Sequence, residues 1–361
     1  MKHIDEYRDP RLAKALTAGI RDRAARLGRP VRLMEICGSH THAIGQHGIR
    51  SLLPESVRLL SGPGCPVCVT AESDIERCLF LARQPEVIIA SFGDMLRVPG
   101  LDGASLQSLR AGGADVRIVG SPLDAIELAR QNPGRQVVFL GVGFETTAPA
   151  VAASLIGAGN PANFSILSLH KLVPPALEAL LDDEALAIDG FICPGHVSVI
   201  TGKAAYADIV SRRRAAVITG FEPIDILAGI HALLGQMLAQ DYRVEIQYRR
   251  TVRPEGNLKA LKIMQTVFEE GPATWRGLGE LPKSGLRLRP AYAHFDSLRR
   301  FNVPDFDEAE RPGCSCGAIL KGQLRPTDCP LFGTACTPSR PVGPCMVSSE
   351  GACSSAHKYG V

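Results

Sequence analysis

Val31-Arg32-Leu33-Met34-Glu35-Ile36-Cys37-Gly38-Ser39-His40-Thr41-His42 is an apolar run that stops in a glycine-marked turn carrying a thiol and two imidazoles. Similar β-branched runs recur at 57–60, 87–91, 116–119, 137–140, 164–169, 190–192 and 215–219. Helix-like stretches lie among them at 11–27, 72–83, 123–131, 148–156, 174–181 and 224–239. Short apolar runs alternating with helix-period segments predict an α/β protein whose mainly parallel sheets are covered by helices on both faces. So many strands call for two doubly wound α/β domains facing a cleft, expected at 1–140 and 141–250 with segments free to swap between them. After about Tyr248 the pattern changes to one helix-like stretch, 258–269, and then to sequence rich in Gly, Pro and Arg. That part, 251–361, is expected to form a cysteine-rich, helix-containing third domain.

In open α/β sheets ligands collect outside the carboxyl ends of the strands, so the residues there are the first candidates for a site. Cys37 with His40 and His42 stands at one such end, and a nearby imidazolium would favour the thiolate, which is both nucleophile and soft metal ligand. Cys65 and Cys68 stand at another, in Gly62-Pro63-Gly64-Cys65-Pro66-Val67-Cys68-Val69-Thr70, with a helix expected just after Thr70. The amides at its start would lower a thiol pKa, which suits a redox pair, although a lone C-x-x-C also suits zinc. Asp94, Glu145 and Glu222 each follow a strand in a Gly-Phe-Glu or Phe-Gly-Asp turn. Helix capping is the favoured reading for Glu222, which precedes Pro223, whereas Asp94 and Glu145 suit a cap and a cleft equally. His196, in Cys193-Pro194-Gly195-His196, is a further cleft candidate. Cys78 and Cys193 read as buried structural thiols, and His170 and His231 as packing residues no less than functional ones.

Composition narrows the classes. The chain has 361 residues, 45% of them hydrophobic and 21% charged, with a net charge of +3 spread along its length. Its densest basic run, Arg212-Arg213-Arg214, lacks interleaved aromatics, so nucleic-acid binding has no support. The first ten residues offer no signal-peptide core and the apolar runs are only strand-length, so a cytoplasmic protein that does not span a membrane is expected. Eleven cysteines in a reducing compartment point to metal binding or electron transfer rather than to disulfide staples. Six of them, Cys314, Cys316, Cys329, Cys336, Cys345 and Cys353, crowd a tail whose turns carry Gly, Pro or Cys throughout. Such a tail buries little apolar area by itself, and a metal centre would order it. Paired C-x-x-C knuckles for structural zinc are absent. Six thiols exceed the four that one [4Fe-4S] cluster takes, leaving two to act as a dithiol beside it, so an iron-sulfur cluster is favoured over zinc.

These segments resemble the HypD family of hydrogenase maturation proteins along essentially the whole chain. The resemblance is carried by residues 35–42 and 62–70, by Ser91-Phe92-Gly93-Asp94-Met95-Leu96-Arg97-Val98-Pro99-Gly100 and by Gly143-Phe144-Glu145-Thr146-Thr147-Ala148-Pro149. It continues in residues 190–197 and in Pro344-Cys345-Met346-Val347-Ser348-Ser349-Glu350-Gly351-Ala352-Cys353. What it implies is an assembly factor for [NiFe]-hydrogenase, a scaffold with redox capability rather than a turnover enzyme, on which iron acquires its cyanide and carbon monoxide ligands as an Fe(CN)2CO group. The implied partners are a small HypC-type chaperone and HypE, which supplies cyanide made with HypF upstream; the hydrogenase large subunit is served indirectly. By the same carry-over Cys37 binds iron jointly with the chaperone, and Cys65 with Cys68 is the nearby redox pair. The family's tail is similar to that of ferredoxin:thioredoxin reductase, which makes Cys314, Cys329, Cys336 and Cys353 ligands of a [4Fe-4S] cluster and Cys316 with Cys345 the adjoining redox pair. The rival readings are a cluster-dependent disulfide oxidoreductase sharing that tail and a zinc-stabilised binding module.

Overall fold

The computed structural model describes residues 5–157, 159–183, 185–309 and 311–360. In chain order the strands are β1 (Val31–Glu35), β2 (Val57–Ser61), β3 (Val87–Ser91), β4 (Asp115–Ile118), β5 (Gln136–Gly143) and β6 (Phe164–His170). They are followed by β7 (Gly190–Pro194), β8 (Ala215–Thr219), β9 (Val244–Ile246), β10 (Phe268–Trp275) and β11 (Gly279–Leu288). The first sheet has the order β2-β1-β7-β8-β9 and the second β4-β3-β5-β6. Both are parallel throughout, as the alternation of strands and helices predicts. The sheets are not consecutive along the chain. The second, spanning residues 87–170, is inserted between two segments of the first, so position 140 falls within β5.

The parallel register decides what meets at the strand ends. Glu35 lies beside both Ser61 and Ile192, so the turns after β1, β2 and β7 emerge together. In the second sheet, Gly143 lies opposite His170, and the turns after β5 and β6 emerge together. Helices cover both faces of the sheets, and their ends follow local chemistry. The helix Pro10–Leu27, for example, starts at Asp9, whose carboxylate accepts from the Arg11 amide, and stops at Gly28 with φ of 64°, a conformation that favours glycine.

Past the first sheet, the helix Leu258–Val267 is shorter than the 258–269 stretch read from sequence. The Gly-, Pro- and Arg-rich segment behind it is not irregular but an antiparallel hairpin, β10 with β11. The hairpin laces the architecture together. Trp275, 1% exposed, stacks on Phe144 after β5 with ring centres 5.8 Å apart, and Thr70 and Lys171 make bridges to Trp275 and Gly285. The cysteine-rich tail then returns to both sheets. Its last helix, Ala352–Tyr359, packs on the helix Gly38–Gln46, where Ser355 Oγ donates to the Thr41 carbonyl at 3.2 Å. Among the described residues no helix is long and apolar enough to cross a membrane.

Burial on both faces is what makes β5 legible as an uninterrupted apolar run. Val137, Val138, Phe139 and Leu140 are all 0% exposed, and Phe139 meets Phe92 edge to face at 5.6 Å. Phe139→Ala is therefore expected to lower unfolding stability by about 3–5 kcal/mol, measured by denaturant titration, whereas truncating the exposed Leu258 changes it by about 0.5 kcal/mol or less.

Candidate functional site

The strand ends of both sheets open into one cleft. Cys37 after β1, Phe92 and Asp94 after β3, Phe144 after β5 and His196 after β7 all line it. Cys37 occupies the N-cap of the helix Gly38–Gln46 with extended backbone, φ −152° and ψ 123°. The Gly62-Pro63-Gly64 turn passes directly behind it: the Gly38 N–H donates to the Gly64 carbonyl at 2.8 Å, and a Cβ on Gly64 would overlap the backbone of Ile36 and Cys37. The next residue, Cys65, is joined to Cys68 in a disulfide, with Cα atoms 5.2 Å apart. Cys68 also donates its N–H to Cys65 Sγ at 3.2 Å. The two thiol-bearing turns are thus in backbone contact.

The electrostatics at Cys37 differ from the sequence expectation. Burial pushes the thiol up to about 12, the Glu350 carboxylate adds to that, and the helix amides of His40 and Ser39 only partly oppose it. Neither His40 nor His42 lines the cleft with Cys37. His40 is 0% exposed, with Nε2 2.9 Å from the Gly220 carbonyl and 2.8 Å from the Thr219 hydroxyl, and burial lowers its pKa to about 4. His42 is turned to the tail, where Nδ1 donates to the Ser349 carbonyl at 3.3 Å and the ring meets Tyr359 edge-on. Only His196 reaches the cleft. Phe221 is sandwiched between His196 and His40, with ring centres 4.1 and 4.6 Å away.

The acids divide in the same way. Asp94 lines the cleft and accepts from Ser348 Oγ at 2.9 Å. Glu145 turns inward instead, correcting its place among the cleft candidates: at 2% exposed it accepts from the Val173 amide at 2.9 Å, capping the helix Val173–Asp182. Its Oε2 has no partner among the described residues, and burial raises its pKa to about 7. Glu222 caps the helix Pro223–Ala239, as read from sequence. Sequence reasoning missed Glu350 as a site residue. It lines the cleft beside Cys37, accepts from Ser39 Oγ at 2.6 Å, and lies 311 positions from that partner. Its only sequence signal was its place in the motif between Cys345 and Cys353.

Beneath the cleft, all six tail cysteines line one small cavity, closed by Ile319, Leu331, Phe332, Gly343 and Met346. Cys316 Sγ and Cys345 Sγ are 3.0 Å apart, and Cys336 Sγ accepts the Val342 N–H at 3.3 Å. Hydrogen bonding to Cys316 and burial push the Cys314 thiol up; burial, reinforced by Cys316, Cys336, Cys314 and Cys329, does the same to Cys353. Burial in this apolar chamber disfavours the thiolates, and sulfurs serving as metal ligands here would have their charge offset by the metal. An all-sulfur donor set with an amide donating to one sulfur fits an iron-sulfur cluster. Among the described residues no three His, Cys, Asp or Glu side chains close on a single metal ion. A lone zinc, with Zn–S of about 2.3 Å, would need its four sulfurs within about 4 Å of one another. The cavity adjoins the upstream pair: Cys68 Sγ lies 4.0 Å from the carbonyl of Pro344, which precedes Cys345. Cys78 and Cys193, at 1% and 0% exposure, are core thiols.

The Glu145 carboxyl makes a measurable prediction. With its folded pKa raised from 4.5 to about 7, the neutral form stabilises the fold fully below 4.5, and that contribution is lost as pH rises through 7. Glu145→Gln keeps the oxygen that accepts from Val173 and cannot ionise. It is expected to raise stability by about 1–3 kcal/mol at pH 8 and to leave it nearly unchanged at pH 4.5, read from denaturation midpoints at the two pH values.

The HypD family model, described as the hydrogenase formation hypA family, matches residues 11–360. Hydrogenase maturation factor HypD2 of Bradyrhizobium diazoefficiens is 45% identical over 370 residues, covering 100% of this chain and 97% of its own. HypD of Rhodobacter capsulatus is 45% identical over 374 residues, covering 100% and 98%. HypD of Escherichia coli K12 is 45% identical over 367 residues, covering 99% and 98%. With the motifs at the strand ends and the cysteine tail in their observed places, the chain belongs to the HypD family of hydrogenase formation proteins.

Proposed function

We propose that this chain is a cytoplasmic [NiFe]-hydrogenase maturation factor, the scaffold on which an Fe(CN)2CO group is assembled before delivery to the large subunit. The observation that carries this reading is the position of Cys37: a single thiol at the floor of an open cleft, with a disulfide in backbone contact and a six-sulfur cavity behind it. Iron is the cargo. Cys37 supplies one soft thiolate ligand, and the open side of the cleft leaves room for a HypC-type chaperone to supply another and for HypE to bring cyanide. The Cys37 proton must leave when iron binds, because burial holds the thiol protonated at neutral pH. Asp94 and His196 on the cleft wall are polar groups within the assembly space.

Cys314, Cys329, Cys336 and Cys353 would hold a [4Fe-4S] cluster in the tail, whose chemistry when bound is one-electron transfer. Cys316 and Cys345 beside it, and Cys65 with Cys68 above them, are two sulfur pairs between which reducing equivalents can pass towards the cleft. The short Cys316–Cys345 separation equally favours a second reading, a disulfide oxidoreductase in which Cys37 has no special part.

The two readings separate on one substitution. Cys37→Ala is expected to abolish hydrogenase maturation in a complementation assay while iron and acid-labile sulfide in the anaerobically purified protein stay at the wild-type level. Maturation surviving that change would refute the iron site. Infrared spectra of the protein purified with its chaperone are expected to contain stretching bands of cyanide and carbon monoxide on iron, and Cys37→Ala to remove them. Cys336→Ser is expected to lose cluster iron and visible absorption; a folded, colourless wild-type protein without iron would refute the cluster.

A further inference from the structure

The tip of the β10–β11 hairpin lies between the two sulfur pairs. Arg276, directly after β10, is 8% exposed. Its backbone N–H donates to the Val69 carbonyl and its Nε to the Thr70 carbonyl, both at 3.0 Å, which fixes the two residues that follow Cys68. On the other side Gly277, with φ of 80°, packs backbone to backbone on Gly317, the neighbour of Cys316; a Cβ on Gly277 would sit 2.5 Å from the Gly317 Cα. One residue and its successor therefore touch the loops of both pairs.

The guanidinium is not fully used by these contacts. Nη1 donates to Glu72 Oε2 at 2.7 Å, and Glu72 is already met by Arg311 at 2.5 Å, so two buried cations share one carboxylate. Nη2 is buried with no hydrogen-bond partner among the described residues. A buried cationic donor without an acceptor is costly, and besides Glu72 the ionisable groups that the guanidinium interacts with electrostatically are the sulfurs of Cys316 and Cys345.

We propose that Arg276 is a positioning residue for disulfide exchange between Cys316–Cys345 and Cys65–Cys68, holding the two loops in register and offering a fixed donor to the negative charge that develops on sulfur. The inference rests on the redox reading given above. In the exchange, one tail sulfur attacks the Cys65–Cys68 bond, a mixed disulfide forms and that bond breaks. The second tail sulfur then closes on the first and releases the other upstream sulfur. Two electrons and two protons pass to Cys65 and Cys68, and one S–S bond is made for one broken; an external dithiol restores the tail. Charge is spread over the reacting sulfurs at each transfer, where a preorganised buried donor counts most.

The test follows reduction of Cys65–Cys68 in anaerobic full-length protein after addition of dithiothreitol, by N-ethylmaleimide quenching and mass mapping of the labelled peptide. Cys316→Ser is the reference: slower reduction means that electrons pass through the tail, and an unchanged rate removes the reading beneath this inference. Given slower reduction there, Arg276→Gln is expected to slow the wild-type background by at least about tenfold and to add nothing in the Cys316→Ser background. Arg276→Lys, which keeps the charge and loses the fork, is expected to slow it by about threefold. A wild-type rate in Arg276→Gln, or equal slowing in both backgrounds, overturns the role. Should Arg276→Gln fail to fold, Arg276→Lys decides: slowing confined to the wild-type background supports the role, and any other result overturns it.

Discussion

Nothing larger than a hydrogen atom fits between Gly64 and the backbone of Cys37. That close approach, permitted only by glycine, makes the strand-end thiol and the Cys65–Cys68 loop one structure instead of two neighbouring turns. The parallel register of β1 with β2 brings the turns to the same edge, and the Gly38–Gly64 hydrogen bond locks them there. A side chain at position 64 would push the disulfide loop away from the cleft floor and, through Pro344, away from the tail. The cleft, the disulfide and the cysteine cavity all hang on this contact.

The tail is held both by apolar packing, with Ile319, Leu320, Met346 and Val347 buried in the main core, and by charge and hydrogen bonds to backbone. Burial pushes the Glu72 carboxyl up, but Arg311 and Arg276 outweigh burial and hold it below the ordinary carboxylate range. Arg311 also donates to the Val342 carbonyl at 2.9 Å and to Pro99 O, and Val342 in turn donates to Cys336 Sγ. Glu308 accepts from the Glu72 and Ser73 amides, both at 3.0 Å, at the start of the helix Glu72–Ala82. On the cleft side Arg97 donates to the Val347 carbonyl at 3.0 Å next to the Asp94–Ser348 bond. Glu72 is fully buried, so removing Arg276 or Arg311 would strand its charge, and these contacts add to the apolar packing that gives the tail its defined place.

How much of this was legible follows from what each segment buries. The eight parallel strands of the two sheets that were read from sequence lie close to their expected positions because burial on both faces writes a continuous apolar run. β9 and the β10–β11 hairpin were not legible: β9 is short and half-buried, and the hairpin carries Glu269, Glu270, Lys283 and Arg287 on open faces, with Pro272 and several glycines inside it. The helix Gly38–Gln46 was hidden for a different reason, since two glycines and five polar residues in nine leave no apolar stripe. At the site, thiols and turns could be read because they are local. The inward turn of His40 and Glu145, the reach of Glu350 and the interleaving of the two sheets depend on partners far along the chain, and no spacing encodes them.

The charges at the cleft also explain how a sulfur site can stay quiet until it is used. Cys37 has helix-start amides beside it, which by themselves would favour the thiolate. Burial and the Glu350 carboxylate outweigh them and keep the thiol protonated. His40, the nearest imidazole in sequence, is neutral and committed to Gly220 and Thr219, so it offers no positive charge. In the proposed role the missing positive charge would come from outside, with the iron that enters the cleft. The thiol would be converted to a ligand by its own cargo, with Glu350 turning from a repulsive neighbour into an attractive one for the incoming cation. An environment that merely raised reactivity would leave Cys37 open to oxidation or to pairing with the adjacent cysteines; under the proposed function this one would couple deprotonation to the arrival of iron.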